Sequence, residues 1–446
     1  MHPFVSKYFF FYPVTFLHGE NISRYLSRYK KFQYSDSQEI AAYQLKYLKK
    51  LLIHAQQTVP YYRDLFNEIG FDATNLKSIS ELKALPALTK PTIIKKTDQM
   101  RSASKYFYTS NKTTGGSTGQ TVSILKNADA LARERAATLR AYEWAGVAMG
   151  DPQARFWGIP LSQKNKLLYK AIDFISNRKR FSAFNITPNA MEEYYRSLLT
   201  LKPVYFYGYA SILKEFASFV IEKGFPPLPS LRSIITTSEV LTDNVRELLE
   251  RAFKCPVFNE YGCGEVGSIA HECEYHKMHI MSDNLIVEIE SDTSSNGTGE
   301  ILVTDLFNYA MPLIRYRVGD YATLSNETCE CGRTLPLISK IHGRAYDFIV
   351  SPDNKKHHPE LLMYIFEELK QQQADILQFQ VVQLAIDKLD IFIVRGDAYA
   401  DEVSTMLVNR IHEKINSDFD ISITFVESIK REASGKLRLI KGMQNN

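Results

Sequence analysis

Between residues 154 and 237, short apolar runs alternate with segments of helical period. The runs are Ala154–Ile159, Val204–Tyr207 and Leu231–Thr237, and the helical segments cover 164–177, 190–200 and 211–223. Parallel strands need a crossover between them, normally a helix, so this alternation predicts a layered α/β domain built on a parallel sheet. With 446 residues, 45% of them apolar and 23% charged, the chain can bury more than one core.

Either side of this region the pattern changes. Apolar spacing through Ile40, Leu45, Leu48, Leu51, Leu52 and Ala55 predicts an amphipathic helix over 38–58 that stops before Val59-Pro60, and Leu85–Leu88 reads as a turn. Leu285–Ile289 and Glu300–Thr304 read as strands around the turn-rich segment 294–299, which makes a strand-rich subdomain. The last hundred residues read as helix 359–371, strands 377–383 and 389–395, helix 400–415 and strand 421–426, a small α+β domain. The fold class expected is therefore α/β: a large N-terminal domain over 1–342 with a β-rich subdomain, and a small α+β domain over 343–446.

Thr113 to Thr121 reads TTGGSTGQT, three glycines and five hydroxyls with no hydrophobic side chain to bury. It lies between strand-like flanks, with Val122–Leu125 and then a helix over 129–144 following. A run of this kind serves as a flexible loop or as a phosphate cradle, because glycines let successive N–H groups converge on one anion. The Lys of the GxxxxGK[ST] pattern is missing, so an ordinary P-loop is disfavoured and any cation must come from elsewhere in the chain.

The charge is balanced, 54 basic against 50 acidic residues, and no basic stripe marks a nucleic-acid partner. Five cysteines form no disulfide framework and point to a reducing cytoplasm. Cys329-Glu-Cys331 is a close thiol pair, and the segment from His271 to His279 adds Cys273 and three imidazoles. A Cys₃His set is an ordinary structural Zn²⁺ composition, and Cys273, His279, Cys329 and Cys331 are the favoured ligands, with His276 competing for the nitrogen place; three reduced thiols without metal are the alternative. Phe9–Leu17 is the one strongly apolar aromatic run. It is too short to span a bilayer and no small-residue cleavage site follows it, so it docks on the protein's own body or on a membrane surface, with the body favoured.

Four further motifs bear on chemistry: Glu260-Tyr-Gly-Cys-Gly-Glu265; Arg315-Tyr-Arg-Val-Gly-Asp320, whose last residue is expected in an outward turn; Gly343-Arg-Ala-Tyr-Asp347; and Ser434-Gly-Lys-Leu-Arg438. With TTGGSTGQT and Val59-Pro-Tyr-Tyr62, in this order, the chain resembles the adenylate-forming ligase superfamily, and within it the phenylacetate-coenzyme A ligase-like family, nearest the branch associated with capsular polysaccharide biosynthesis. The resemblance covers most of the chain, from His54 to Lys436.

It implies an enzyme that binds ATP, Mg²⁺ and a small-molecule carboxylic acid, makes an acyl-AMP and pyrophosphate, and passes the acyl group to a thiol such as coenzyme A or to an amine or hydroxyl in glycan assembly. A noncatalytic nucleotide-binding relative is the reading from another class. The small domain is implied to be mobile and to carry Lys436, the adenylation lysine. Thr113, Thr114, Gly115, Gly116, Ser117, Thr118 and Gly119 would hold the β- and γ-phosphates; Glu239, Tyr261 and Gly262 would contact the nucleotide. Glu265 would ligate Mg²⁺, Asp320 would accept from both ribose hydroxyls, and Arg344 would reach the nucleotide near the hinge. Trp157, Tyr205, Tyr207, Tyr209 and the strand end Thr236–Glu239 match the region that lines the acid site, with about half of the aromatics expected in the core. The chain departs from the family pattern at Gly264, where a hydroxyl residue is common, at Tyr346, where Asp is common, and over Ser351–Pro359, which lacks the usual glycine. The last departure leaves the acceptor open.

Overall fold

The computed structural model describes residues 1–114, 122–158, 166–291, 297–344, 348–357, 359–372, 374–432 and 437–443. The chain packs as two compact units: Met1–Glu290, Ile301–Val318 and Leu324–Ser339 form the first, and Ser291–Glu300, Gly319–Thr323 and Lys340–Asn446 the second.

In chain order, the strands begin with an antiparallel pair, β1 (Thr109–Thr114) and β2 (Val122–Asn127), with Thr114 opposite Val122. Next come β3 (Gln153–Trp157), β4 (Arg178–Ser182), β5 (Tyr205–Gly208), β6 (Ser233–Thr237) and β7 (Val257–Cys263), all parallel in the order β4-β3-β5-β6-β7. The expected parallel sheet is present, and β4 joins it although its charged sequence, Arg-Lys-Arg-Phe-Ser, gave no strand signal. Further strands extend it, with β7–β8, β8–β9 and β9–β13 antiparallel: β8 (Gly267–Glu272), β9 (Met278–Ile280), β10 (Leu285–Glu290), β11 (Thr298–Asp305), β12 (Tyr316–Ser325) and β13 (Leu337–Arg344). The full order is β10-β11-β12-β13-β9-β8-β7-β6-β5-β3-β4.

Local chemistry sets the crossover helices. Thr187 caps the helix Pro188–Leu201 at the amide of Ala190, Pro188 occupies its first turn, and Lys202 ends it in a left-handed conformation. Thr242 does the same for Asp243–Phe253. These two helices and Ala210–Glu222 cover one face of the sheet, burying Phe156, Phe206, Ile234 and Val257 against Leu198, Phe216 and Phe253. The other face receives the helix Ala128–Trp144. The helix predicted over 38–58 spans Ser37–Thr58, capped by Asp36, and Pro60 opens a further helix, Pro60–Glu68, that the breaker signal did not foretell.

The aromatic run near the N-terminus is helical. Pro3–Val5, a π-type turn Ser6–Phe11 and Tyr12–Leu17 follow one another without a break, with Pro13 tolerated near the start of the final α segment. One side docks on the body, as favoured from the sequence: the Ser6 hydroxyl donates to Ile175 O at 2.9 Å and Phe10 meets Phe174 edge-on. Among the described residues no helix is long and apolar enough to cross a membrane.

In the second unit, β14 (Ile349–Val350) pairs with β15 (Lys356–His357), and β16 (Ile376–Ala385), β17 (Lys388–Arg395), β18 (Asp420–Phe425) and β19 (Ile440–Lys441) form a sheet ordered β18-β17-β16-β19. The helices Pro359–Gln371 and Glu402–Lys414 pack against that sheet through Leu362, Phe366, Leu407 and Ile411. All five elements expected from the sequence here are present to within a residue or two.

A buried charge cluster ties the β1–β2 pair to the rest of the first unit. Glu134, on the Ala128–Trp144 helix, meets Lys112 of β1 and Lys126 of β2, and the fully buried Lys126 also pairs with Asp305 at 3.2 Å. Burial pushes the Glu134 carboxyl up, but the two ammonium groups outweigh it and hold the group down at about 2, against an ordinary 4.5. A depressed carboxyl contributes stability that is complete above about pH 4.5 and is lost as pH falls through about 2. Glu134→Gln, which leaves buried cations short of one carboxylate, should cost about 3 kcal/mol at neutral pH. In denaturant melts between pH 7 and 3 the variant should show a flatter acid limb than the wild-type chain, and equal melts at pH 7 would contradict this assignment.

Candidate active site and metal centre

Parallel strands present their carboxyl ends along one edge, and in open α/β sheets that edge is where ligands bind. Phe156 is opposite Gly208, Gly208 opposite Thr236, and Thr237 opposite Glu260, so the ends of β3, β5, β6 and β7 lie side by side. Trp157, Tyr209, Glu239 and the Tyr261–Glu265 segment, separate in sequence, are thereby gathered at one edge.

The details assign several of these residues structural duties. Glu239 follows Ser238, which is left-handed at φ +69°, and its carboxylate accepts from Ser211 N at 2.8 Å and Ser211 Oγ at 3.0 Å, capping the Ala210–Glu222 helix from outside. Gly262 lies in the β7–β8 hairpin, where a Cβ would stand 2.4 Å from Gly267 O, so glycine is required by the approach of the two strands. Tyr261 is half-buried on β7. Glu265 is buried at the tip of the hairpin, where burial and its carboxylate together push the Cys263 thiol up.

Of the aromatics, Tyr209 belongs to the core beneath the crossover helices, whereas Tyr205 and Tyr207 face Tyr142 of the Ala128–Trp144 helix. Trp157 is half-buried over Tyr209, ring centroids 4.3 Å apart. Burial and the Glu260 carboxylate keep the phenols of Tyr142 and Tyr207 protonated; Tyr142 and Ser268 both donate to Glu260. The sequence reading missed Arg155. Its guanidinium lies 4.5 Å from the Trp157 ring and 4.8 Å from the Tyr207 ring, half-buried, and among the described residues no carboxylate pairs with it. Only its place opposite Tyr207 in the β3–β5 register singles it out from a surface arginine.

Asp320 and Arg344 belong to the second unit. Asp320 lies within β12 after Gly319, φ +88°, half-buried and engaged in polar contacts, so the expected outward turn is in fact strand. The first residue of that motif, Arg315, is buried and pairs with Glu288 at 3.2 Å in the first unit. Arg344 ends β13, and its side chain lies outside the description. Thr113 and Thr114 close β1 in register with Ser123 and Val122, whereas Gly115, Gly116, Ser117, Thr118, Gly119 and Lys436 lie outside the described residues.

The cysteine cluster is compact. One ligand atom from each of Cys273, His279, Cys329 and Cys331 lies within 4.8 Å of the others. Cys273 Sγ is 3.5 Å from Cys329 Sγ, and Cys331 Sγ is 3.3 Å from His279 Nε2. A tetrahedral zinc with bonds near 2.3 Å to sulfur needs sulfurs about 3.8 Å apart, so the set is close to that geometry. His279 Nδ1 donates to Leu335 O at 3.1 Å, which leaves Nε2 as the lone-pair nitrogen aimed at the thiols. Burial lowers the imidazole to about 4, keeping it neutral. Tyr275 and Arg333 offer backbone N–H groups to Cys273 and Cys331, as ligating thiolates require. His276 is excluded by its turn: at φ +55° it points to Arg246 and Glu272 instead.

The fold is that of the adenylate-forming ligases. A solved 2-hydroxyisobutyryl-CoA ligase, in a postadenylation state with an acyl-AMP, superposes with a TM-score of 0.73 at 19% identity, over 92% of this chain and 90% of that one. Residues 349–443 match the CapK C-terminal domain family. Homologues are Protein CapK of Staphylococcus aureus, 25% identical over 85% of this chain and 84% of its own length, and the phenylacetate-coenzyme A ligase of Thermus thermophilus, 26% identical over 70% and 72%.

If the four ligands hold zinc, chain purified without chelator should carry about one zinc, and Cys331→Ser should lose the metal and melt at lower temperature. Elemental analysis decides this, and metal-free wild-type protein would contradict it.

Proposed function

We propose that the chain is an ATP- and Mg²⁺-dependent, AMP-forming carboxylate ligase. What carries this reading is the ordered set of motifs, from TTGGSTGQT to Lys436, on a chain with the adenylate-forming ligase fold and homologues among the phenylacetate-coenzyme A ligases. Joining a carboxylate to an α-phosphate brings two anions together, so the protein's task is positioning and neutralisation of charge. In this reading Thr113 to Gly119 cradle the β- and γ-phosphates, Glu265 holds Mg²⁺, Asp320 takes the ribose, and Arg344 steadies the nucleotide. Tyr261 and Gly262 form the nucleotide wall, with Glu239 fixing the strand end beside it. Zinc supplies structure only, tying the Cys273 segment to the Cys329–Cys331 turn.

The acid lies at the carboxyl edge near Trp157 and Tyr207. Arg155, which pairs with no carboxylate among the described residues, favours an acid with a second anionic group in its acyl part. The acceptor is a thiol such as coenzyme A, by analogy with the ligase homologues. The similarity to Protein CapK favours a second reading, transfer to an amine or hydroxyl in cell-surface glycan assembly.

Lys436 stands on the small domain, residues 343–446, which in this reading changes position between the two half-reactions. Lys436→Ala should lower acid-dependent pyrophosphate release about a hundredfold or more while sparing transfer from a prepared acyl-adenylate. Quenched assays of the two halves test this, and equal loss in both would assign Lys436 a general structural part.

A further inference from the structure

The N-terminal helix is turned the unexpected way round. Its two fully packed residues are small and polar, Ser6 and Thr15; Phe10, Phe11 and Tyr12 are half-buried toward the body, while Phe4, Tyr8, Phe9 and Phe16 point outward. Phe4 is 56% exposed, Phe9 66%, Phe16 67% and Leu17 74%, and Tyr8 is half-exposed beside Phe4, their rings 4.7 Å apart. The π-type turn over Ser6–Phe11 brings this about, since it slips the helical phase in the middle of the aromatic run. A helix held in this orientation by Ser6, by Phe10 on Phe174 and by the close approach of Pro3 O to Gly150 exposes apolar area that water disfavours. Beyond its end the patch continues to Phe107, 88% exposed and in contact range of Gly19, and at its flank Phe174 is also exposed.

The segments that form this face carry charge of one sign, and the neighbouring carboxylate that acts on Tyr12, Glu143, is paired with Lys30 at 2.6 Å. Residues 1–19 and 102–114 contain no carboxylate, while Lys7, Lys105 and Lys170 stand on the contributing segments. The lone acid of the Lys166–Ile175 helix, Asp173, is tied to Arg178 at 2.6 Å and Arg180 at 2.9 Å. Glu20, which closes the N-terminal segment, is buried against Arg135. A second copy of the chain meeting this face across a two-fold axis would bring lysine against lysine. An anionic bilayer matches both halves of the pattern: phenyl rings enter the headgroup and acyl boundary while lysines meet lipid phosphates.

We propose that the helix Pro3–Leu17, with Phe107, is a peripheral docking surface for an anionic lipid bilayer, laid in the interfacial plane and not crossing it. This assignment is independent of the ligase reading. It is tested with the full chain and extruded vesicles of phosphatidylcholine alone or mixed with phosphatidylglycerol, by flotation. The chain should float with the anionic vesicles at low salt, and less so with neutral vesicles or at high salt. Phe9→Glu combined with Phe16→Glu, at positions exposed enough to leave the fold intact by circular dichroism, should weaken partitioning about tenfold or more. Lys7→Ala and Lys105→Ala should each weaken it about fivefold on anionic vesicles alone. Absence of flotation at low salt, or equal flotation by the folded double-glutamate variant, would overturn the proposal. So would a wild-type dimer in gel filtration that becomes monomeric in that variant without any vesicle binding, which would give the face to a second copy.

Discussion

In the parallel run β4-β3-β5-β6-β7 the central strands β5 and β6 are buried on both faces, and the rest of the first unit follows from that constraint. Crossover helices must cover one side, which accounts for the capped helices from Pro188 to Phe253, and the Ala128–Trp144 helix covers the other. With those central strands covered on both faces, the carboxyl edge is the place for a ligand, as in open α/β sheets generally. That is why Trp157, Glu239, Tyr261 and Glu265, distributed over about a hundred residues, converge there. The antiparallel β7–β8 hairpin terminates the parallel run; Gly262 lets its strands approach closely, with Glu260 buried on β7 and Glu265 buried at the tip.

Polar burial is concentrated where segments distant in sequence must be locked together. Glu134 holds the β1–β2 pair by charge, Arg315 locks the strand-rich region through Glu288, and the Cys₃His cluster joins the His271–His279 segment to the turn at Cys329. Each brings groups that are costly to bury alone into a site that satisfies them, so each fixes a register that apolar packing would leave degenerate.

Much of this was legible in the sequence because periodicity and caps are local. Helix 38–58 and the elements after residue 359 follow from apolar spacing and breakers, and the parallel sheet follows from alternation. Other features depend on contacts between distant residues. β4 is a strand because it pairs in parallel with β3, Gln153 opposite Arg178, twenty-five positions away, which no local pattern displays. The choice of His279 over His276 rests on a left-handed turn at His276, and Arg155 stands out by its place opposite Tyr207 in the β3–β5 register. Glu239, read as a nucleotide contact, also caps a helix through Ser211, a partner twenty-eight positions away. The division of the N-terminal aromatics, Phe9 and Phe16 outward and Phe11 and Tyr12 inward, goes with a π-type turn that the run of phenylalanines conceals.

The central claim is that this fold activates a carboxylate with ATP, and release of pyrophosphate measures it most directly. The purified chain, given ATP and Mg²⁺, would be screened against aryl, fatty and amino acids and against acids bearing a second carboxylate, phosphate or sulfonate, with and without coenzyme A. The account predicts acid-dependent release that is strongest for a member of the doubly anionic set. Release with none of these acids, from folded protein that binds ATP, would contradict it.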